Sequence, residues 1–203
     1  ESLAKEFKFT PPNKHGFDTV ESIKAMHDGR AKVFFAMGGN FLSATPDTKC
    51  TAEALQKCNL TVQTITKFNR SALVTGKKAL ILPPLGRSEI DLQNEVEQFV
   101  TTENSMGNVQ KSQGVLNPTS EHLRSEVWIV CELAKAVLGV NWDEFVNDYD
   151  KIRDAIERTI PGFEDYNKRV RQHGGFYLPN KPRFGEFPTH NGKANFTTHE
   201  LTI

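Results

Sequence analysis

The run Lys32-Val33-Phe34-Phe35-Ala36-Met37 leads straight into Gly38-Gly39-Asn40-Phe41, and this junction constrains the chain more than any other stretch. Five of its first six residues are apolar, a pattern that fits either a buried strand or a buried helix segment. Its shortness, its aromatic and β-branched content and the glycine stop select a strand. A helix-like segment precedes it. A polar loop, another helix-like segment and a second strand follow. That alternation predicts an α/β fold with a mainly parallel sheet. In such sheets ligands bind beyond the carboxyl ends of the strands, where Gly38, Gly39 and Asn40 stand.

The rest of the chain is read around that strand. Residues 1 to 16 are expected to be extended or loosely ordered, because Pro11-Pro12 disfavours helix and central strand alike. Asp18 and Glu21 form a capping box for a helix with Val20, Ile23 and Met26 inward, closed by Asp28-Gly29. Pro46-Asp47-Thr48 opens a second helix that runs to Cys58. Leu60–Ile65 and Lys78–Leu82 read as further strands, the latter stopped by Pro83-Pro84. Between Gly86 and Gly114 the alternation breaks, and Phe99–Thr102 with Asn108–Lys111 suggests a hairpin or an irregular excursion. Leu123, Val127, Val130, Cys131, Ala134, Val137 and Leu138 trace one stripe of a helix expected over 119–138. Its cap is placed at Asn117-Pro118, and its burial makes it a pillar of the core. Two helical stretches follow over 143–172, separated at Pro161-Gly162. A proline-rich tail then ends in a turn and short strand at Gly192–Phe196. The expected organisation is an α/β unit over 14–140 and a helical and extended appendage over 141–203.

Charge is balanced, with 25 Lys and Arg against 25 Asp and Glu, so electrostatics gives no case for nucleic acid or a membrane surface. No apolar run approaches the ~18–20 residues that span a bilayer. The first residues lack the apolar core of a signal peptide, and a starting Met is absent, so the chain is expected to be cut from something longer. The three cysteines, Cys50, Cys58 and Cys131, make no metal pattern. Their sparse, odd count suggests reduced thiols and a cytoplasmic setting.

Several residues carry chemistry at the expected strand ends, and each has a plainer use. Gly38-Gly39 lets backbone approach a phosphate or sugar, and serves a tight turn at least as well. Thr64, Thr66, Lys67, Asn69, Arg70 and Ser71 offer hydroxyls, amide and cations to a pyrophosphate or a base edge, or form a solvated loop with a helix cap. Glu89 and Asp91 can accept from guanine or ribose, or belong to a surface charge cluster. Glu126 and Glu132 lie off the apolar stripe and face solvent. The six histidines are scattered. No Walker loop and no Gly-x-Ser-x-Gly elbow is present.

Taken together, Phe34–Phe41, Thr66–Ser71 and Leu80–Pro83 with Glu89 resemble the molybdopterin-dependent oxidoreductases, in particular the branch of formate dehydrogenase alpha subunits. Val100–Gly107, Ile160–Asn167, Gly174-Gly175-Phe176 and Gly192–Phe196 extend the resemblance over nearly all of the chain from Asp18 onward. It implies a Rossmann-like three-layer αβα domain and a molybdenum held by molybdopterin guanine dinucleotide. It also implies an iron–sulfur cluster upstream, a C-terminal β-barrel domain and two-electron chemistry of the formate-oxidation kind. Carried over by position, Gly38, Gly39, Asn40, Phe41, Thr64, Thr66, Lys67, Asn69 and Glu89 would surround a guanosine-pyrophosphate arm. Relatives often carry Gly-Glu-Asn or Gly-Glu-Asp where this chain has Gly38-Gly39-Asn40, so a carboxylate is missing at Gly39. No catalytic residue or metal ligand falls in this stretch. The segment alone is then inactive, and its partners are the remaining domains of its own polypeptide. A free-standing nucleotide-binding or subunit-interaction module is the alternative.

Overall fold

The computed structural model describes residues 1–200, so the last three residues of the expected 141–203 segment lie outside it. Helices α1 (Ser2–Phe7), α2 (Thr19–His27), α3 (Phe41–Ala44), α4 (Thr48–Lys57), α5 (Glu126–Leu138), α6 (Asp143–Asn147), α7 (Tyr149–Thr159) and α8 (Tyr166–Val170) alternate with eight strands. These are β1 (Val33–Met37), β2 (Leu60–Thr64), β3 (Lys78–Leu82), β4 (Asp91–Gln93), β5 (Val96–Gln98), β6 (Val100–Glu103), β7 (Asn108–Ser112) and β8 (Phe176–Tyr177).

The first three strands form a parallel sheet in the order β1-β2-β3. The α/β class and the parallel sheet expected from the sequence are both present. Helices α2 and α4 cover one face, where Ile23, Met26, Ala54 and Leu55 form a core with Phe34 packed against it. Both helices start where an aspartate stops the preceding chain. Asp18 accepts from Glu21 N at 2.8 Å and Asp47 from Cys50 N at 2.8 Å, satisfying amides that have no partner inside the helix. The capping box is half complete, because the Glu21 carboxylate turns to Lys24 instead of reaching back.

The second half is built on two antiparallel sheets, β4-β5 and β6-β7-β8. Helix α8 packs on the latter through Tyr166 and Val170 against Phe99, Val109 and Phe176, and Ile156 of α7 joins this core. Arg153 is buried in this layer and fully engaged. It donates to Phe99 O at 3.0 Å and Asn167 Oδ1 at 2.6 Å, pairs with Asp150, and lies over the Phe99 ring. A buried guanidinium needs this many partners to offset its lost hydration.

Several expectations are corrected. The N-terminus is irregular only after α1. Residues Ser2–Phe7 are helical, and α1 is held by the Glu6–Arg158 pair and by Phe7 edge-on to Trp142. Val20 is exposed, because α2 turns only Ile23, Ala25 and Met26 inward. The long helix starts at Glu126, capped by Ser125 accepting from Trp128 N at 3.1 Å, and not at Asn117-Pro118. It buries only Ile129, Cys131 and Ala134, while Val130, Val137 and Leu138 are exposed, so it is no core pillar along its whole stripe. Gly192–Phe196 forms a turn without a strand.

The start of α5 is fixed from across the molecule. The buried Tyr149 Oη lies 2.5 Å from Asp91 Oδ2 and 2.7 Å from Ser125 Oγ. The phenol has one proton, which goes to the carboxylate, so the Ser125 hydroxyl donates back to the phenol while capping α5. Burial and the neighbouring carboxylate push the phenol far above its usual range. Tyr149→Phe removes the link and leaves Asp91 short of a donor. It should cost about 1–3 kcal/mol of stability, read as a lower denaturant midpoint at unchanged slope. An unchanged midpoint would show that this network does not hold the helix.

Candidate functional site

The three parallel strands end level. Met37, Thr64 and Leu82 are direct partners across β1, β2 and β3. The chain therefore leaves all three strands at one edge, and the segments that follow enclose a cleft of about 1020 Å³. Gly38 and Gly39 form its β1 side, both in the left-handed backbone region at φ 69° and 72°. That conformation lets the chain turn while Gly38 N donates to Thr64 O at 2.8 Å, extending the ladder one residue past the strand. A side chain at Gly38 is strained in this conformation and would stand 3.8 Å from Glu126 Oε1.

Of the nine residues expected at the site, Gly38, Gly39, Thr64, Thr66, Lys67, Asn69 and Glu89 line this cleft. Asn40 and Phe41 do not. Asn40 Oδ1 accepts from Ser71 Oγ at 3.0 Å, and the Phe41 ring packs 4.9 Å from Phe34 in the core. Asn69 lines the cleft as a brace. Its Nδ2 donates to Gly39 O at 2.9 Å and its Oδ1 accepts from Ser71 N at 3.0 Å.

Ser71 holds this wall together. Fully buried, it accepts from Leu42 N at 2.8 Å, and its carbonyl accepts from Gln63 Nε2 at 2.8 Å. The hydroxyl thus ties the loop after β1 to the loop after β2, and the carbonyl anchors that second loop to β2 itself. The polar stretch Thr66–Ser71 is legible in sequence, but the division of labour inside it depends on which side chains turn inward.

Thr64 is the odd member. It is 0% exposed, and its Oγ1 has no hydrogen-bond partner. Buried hydroxyls almost always find a partner, and this one sits at the wall of an open cleft of mixed polar and apolar lining.

Two carboxylates line the cleft. Glu89 is committed to the wall: its Oε2 accepts from Gly86 N at 2.6 Å and its Oε1 from Thr119 N at 2.8 Å. These backbone donors, Gly86 first, hold the carboxyl below the ordinary value of 4.5. Gly114 passes so close to Glu89 that an added Cβ would fall 2.0 Å from the Glu89 carbonyl oxygen, so only glycine fits there. Glu126, read in the sequence as solvent-facing, is exposed yet lines the cleft beside Gly38. Lys67 and Arg87 supply two exposed cations, and Phe68 stands 81% exposed on the lip. Glu126, Arg87, Ser88 and Thr119 join the site from outside the strand-end loops of β1 and β2. Only the position of Arg87-Ser88 after β3 could have signalled this.

Among the described residues no helix is long and apolar enough to cross a membrane, and no three His, Cys, Asp or Glu cluster as metal ligands would.

The cleft can be set beside the chain's relatives. No family model matches it. It is 54% identical over 205 residues to an uncharacterized oxidoreductase of Mycobacterium tuberculosis, covering 98% of this chain and 26% of that protein. The corresponding Mycobacterium bovis protein, also called an uncharacterized oxidoreductase, matches to the same extent, at 54% identity. The protein YdeP of Escherichia coli is 44% identical over 199 residues, covering 97% of this chain and 26% of YdeP. The chain thus spans about a quarter of the length of the curated relatives it matches.

Glu89 yields a pH prediction. Its folded-state carboxyl titrates below its unfolded value, so its contribution to stability is complete above about pH 4.5 and is lost as pH falls through the lower folded value. Glu89→Gln should lower stability at neutral pH and flatten the part of the acid limb below pH 4.5, seen in denaturant melts across that range. Parallel acid limbs for both proteins would contradict the bracing role.

Proposed function

We propose that this chain is the part of a molybdopterin-dependent oxidoreductase that holds a guanosine-pyrophosphate arm of molybdopterin guanine dinucleotide. The observation that carries the reading is the unpartnered, buried Thr64 hydroxyl in the wall of the strand-end cleft. That oxygen is sealed from water, so a bound nucleotide gives it the partner it lacks only by moving the wall that covers it. The names of the mycobacterial relatives, uncharacterized oxidoreductases, support the redox class, and the resemblance of the motifs supports the cofactor.

The residues present fit such an arm. The Gly38-Gly39 backbone has no Cβ to keep a ribose or phosphate at a distance. Lys67 and Arg87 counter the charge of the pyrophosphate. Phe68 offers an exposed aromatic face to a purine, a contact worth about 1–3 kcal/mol in single-stranded nucleic-acid complexes. Glu126 is the cleft carboxylate with no hydrogen bond or ion pair among the described residues, so it is the acid able to accept from the two donors on guanine's edge. Glu89 is occupied by Gly86 and Thr119. Glu126 also supplies, from another element, the carboxylate that Gly39 lacks. The molybdenum-bearing group supplies the two-electron redox step when bound. The iron–sulfur cluster, the metal ligand and the pocket for a small substrate such as formate belong to other parts of the polypeptide.

Thr64→Val separates this reading from a purely structural role. Removing a buried orphan hydroxyl without changing shape should leave the fold as stable or about 1 kcal/mol more stable. Guanine-nucleotide affinity should fall roughly fivefold, the equivalent of one hydrogen bond. Glu126→Gln should narrow the preference for GMP over AMP while leaving the fold intact. Ligand-observed NMR with GMP, GDP, AMP and NAD reads both. A Thr64→Val protein that binds GMP as the parent does would remove the main support for the proposal.

A further inference from the structure

The face of the parallel sheet opposite α2 and α4 is incompletely covered. Side chains alternate along a strand, so with Phe34 in the core, Val33 and Phe35 point the other way. They line an apolar groove of about 1020 Å³ together with Leu80 of β3 and Trp128, Leu133 and Val137 of α5. Helix α5 forms one wall without filling the space. Val33 is 59% exposed, Leu80 48% and Val137 69%.

Parallel sheets occur almost only where both faces are buried, because their strands are apolar on both sides. An open apolar patch of this extent marks a surface that another element covers. Helices α2 and α4 lie on the other face and α5 only walls this one, so a cover from outside residues 1–200 has room to seat. In the curated relatives, about three quarters of the length lies outside the matched segment.

We propose that this groove is the seat of an amphipathic helix from another part of the same polypeptide, its apolar stripe laid between α5 and the sheet. The proposal rests on the reading that the chain belongs to a longer oxidoreductase. A helix is the occupant a parallel sheet face ordinarily takes, since crossover connections place helices there. The groove has almost no polar lining to satisfy the free backbone groups of an irregular segment. Seating the helix would place α5, and with it Glu126, in a fixed position against the cleft.

The test uses the protein at its native length, with p-benzoyl-phenylalanine replacing Val137. Intact mass is recorded first, and irradiation is done at a dilution where light scattering shows monomer. The expected product is an intramolecular crosslink from position 137 to a peptide outside residues 1–203. That peptide should have apolar residues at helical spacing. A crosslink between two copies that disappears on dilution makes a second copy the occupant and overturns the proposal. Absence of a crosslink to any outside peptide, at position 137 and again with the probe replacing Leu80, overturns it as well. A native polypeptide no longer than this chain overturns both the proposal and the reading beneath it. The intact mass separates that outcome from an empty groove in a longer protein.

Discussion

The register of the parallel sheet is the constraint on which the rest depends. Because Met37, Thr64 and Leu82 are paired across three strands, the chain turns at one level three times. Gly38-Gly39, Thr66–Asn69 and Pro83–Glu89 therefore face one another. A parallel ladder makes this possible, since it sends every carboxyl end to the same edge. A slip of one residue in β2 would turn Thr64 to the other face and bring a neighbouring side chain to its position.

The cleft is preorganised by hydrogen bonds within and behind its own wall. Ser71 and Asn69 hold the glycine loop, Glu89 holds the Gly86 turn against Thr119, and Tyr149 with Asp91 holds the capping serine of α5. Polar groups committed in this way have less hydrogen-bonding capacity left for a ligand. What remains includes the Thr64 hydroxyl, the Lys67 cation, the Arg87 cation held among the described residues only by Ser112 Oγ at 3.4 Å, the Glu126 carboxylate and the Phe68 ring. That division between braces and free groups gives the chemical character of the site.

The sequence made the sheet and its helices legible because local signals and tertiary structure agree there. Asp18 and Asp47 cap as their positions suggest, and the Gly38-Gly39 stop falls where the strand ends. Legibility failed where distant contacts decide. The β4-β5 hairpin turns through Asn94-Glu95 with φ of 47° and 64°, and a glutamate in that position disguises the turn. The start of α5 is set by Ser125, whose hydroxyl is held by Tyr149. Glu89, expected to accept from a ligand, is taken up as a wall brace by the backbone amides of Gly86 and Thr119, while Glu126, expected to face solvent, is exposed and also lines the cleft. The partly exposed stripe of α5 kept its helical period but lacks cover within the described residues.

The central claim is that this cleft holds a guanosine nucleotide as part of a larger cofactor. Acid hydrolysis of the protein purified at its native length, with the released nucleotide separated by chromatography and molybdenum measured on the same sample, tests it most directly. The account predicts guanosine monophosphate together with molybdenum, both reduced in Thr64→Val and Glu126→Gln. Adenosine nucleotide alone, or a protein that releases no nucleotide when purified in active form, would contradict it.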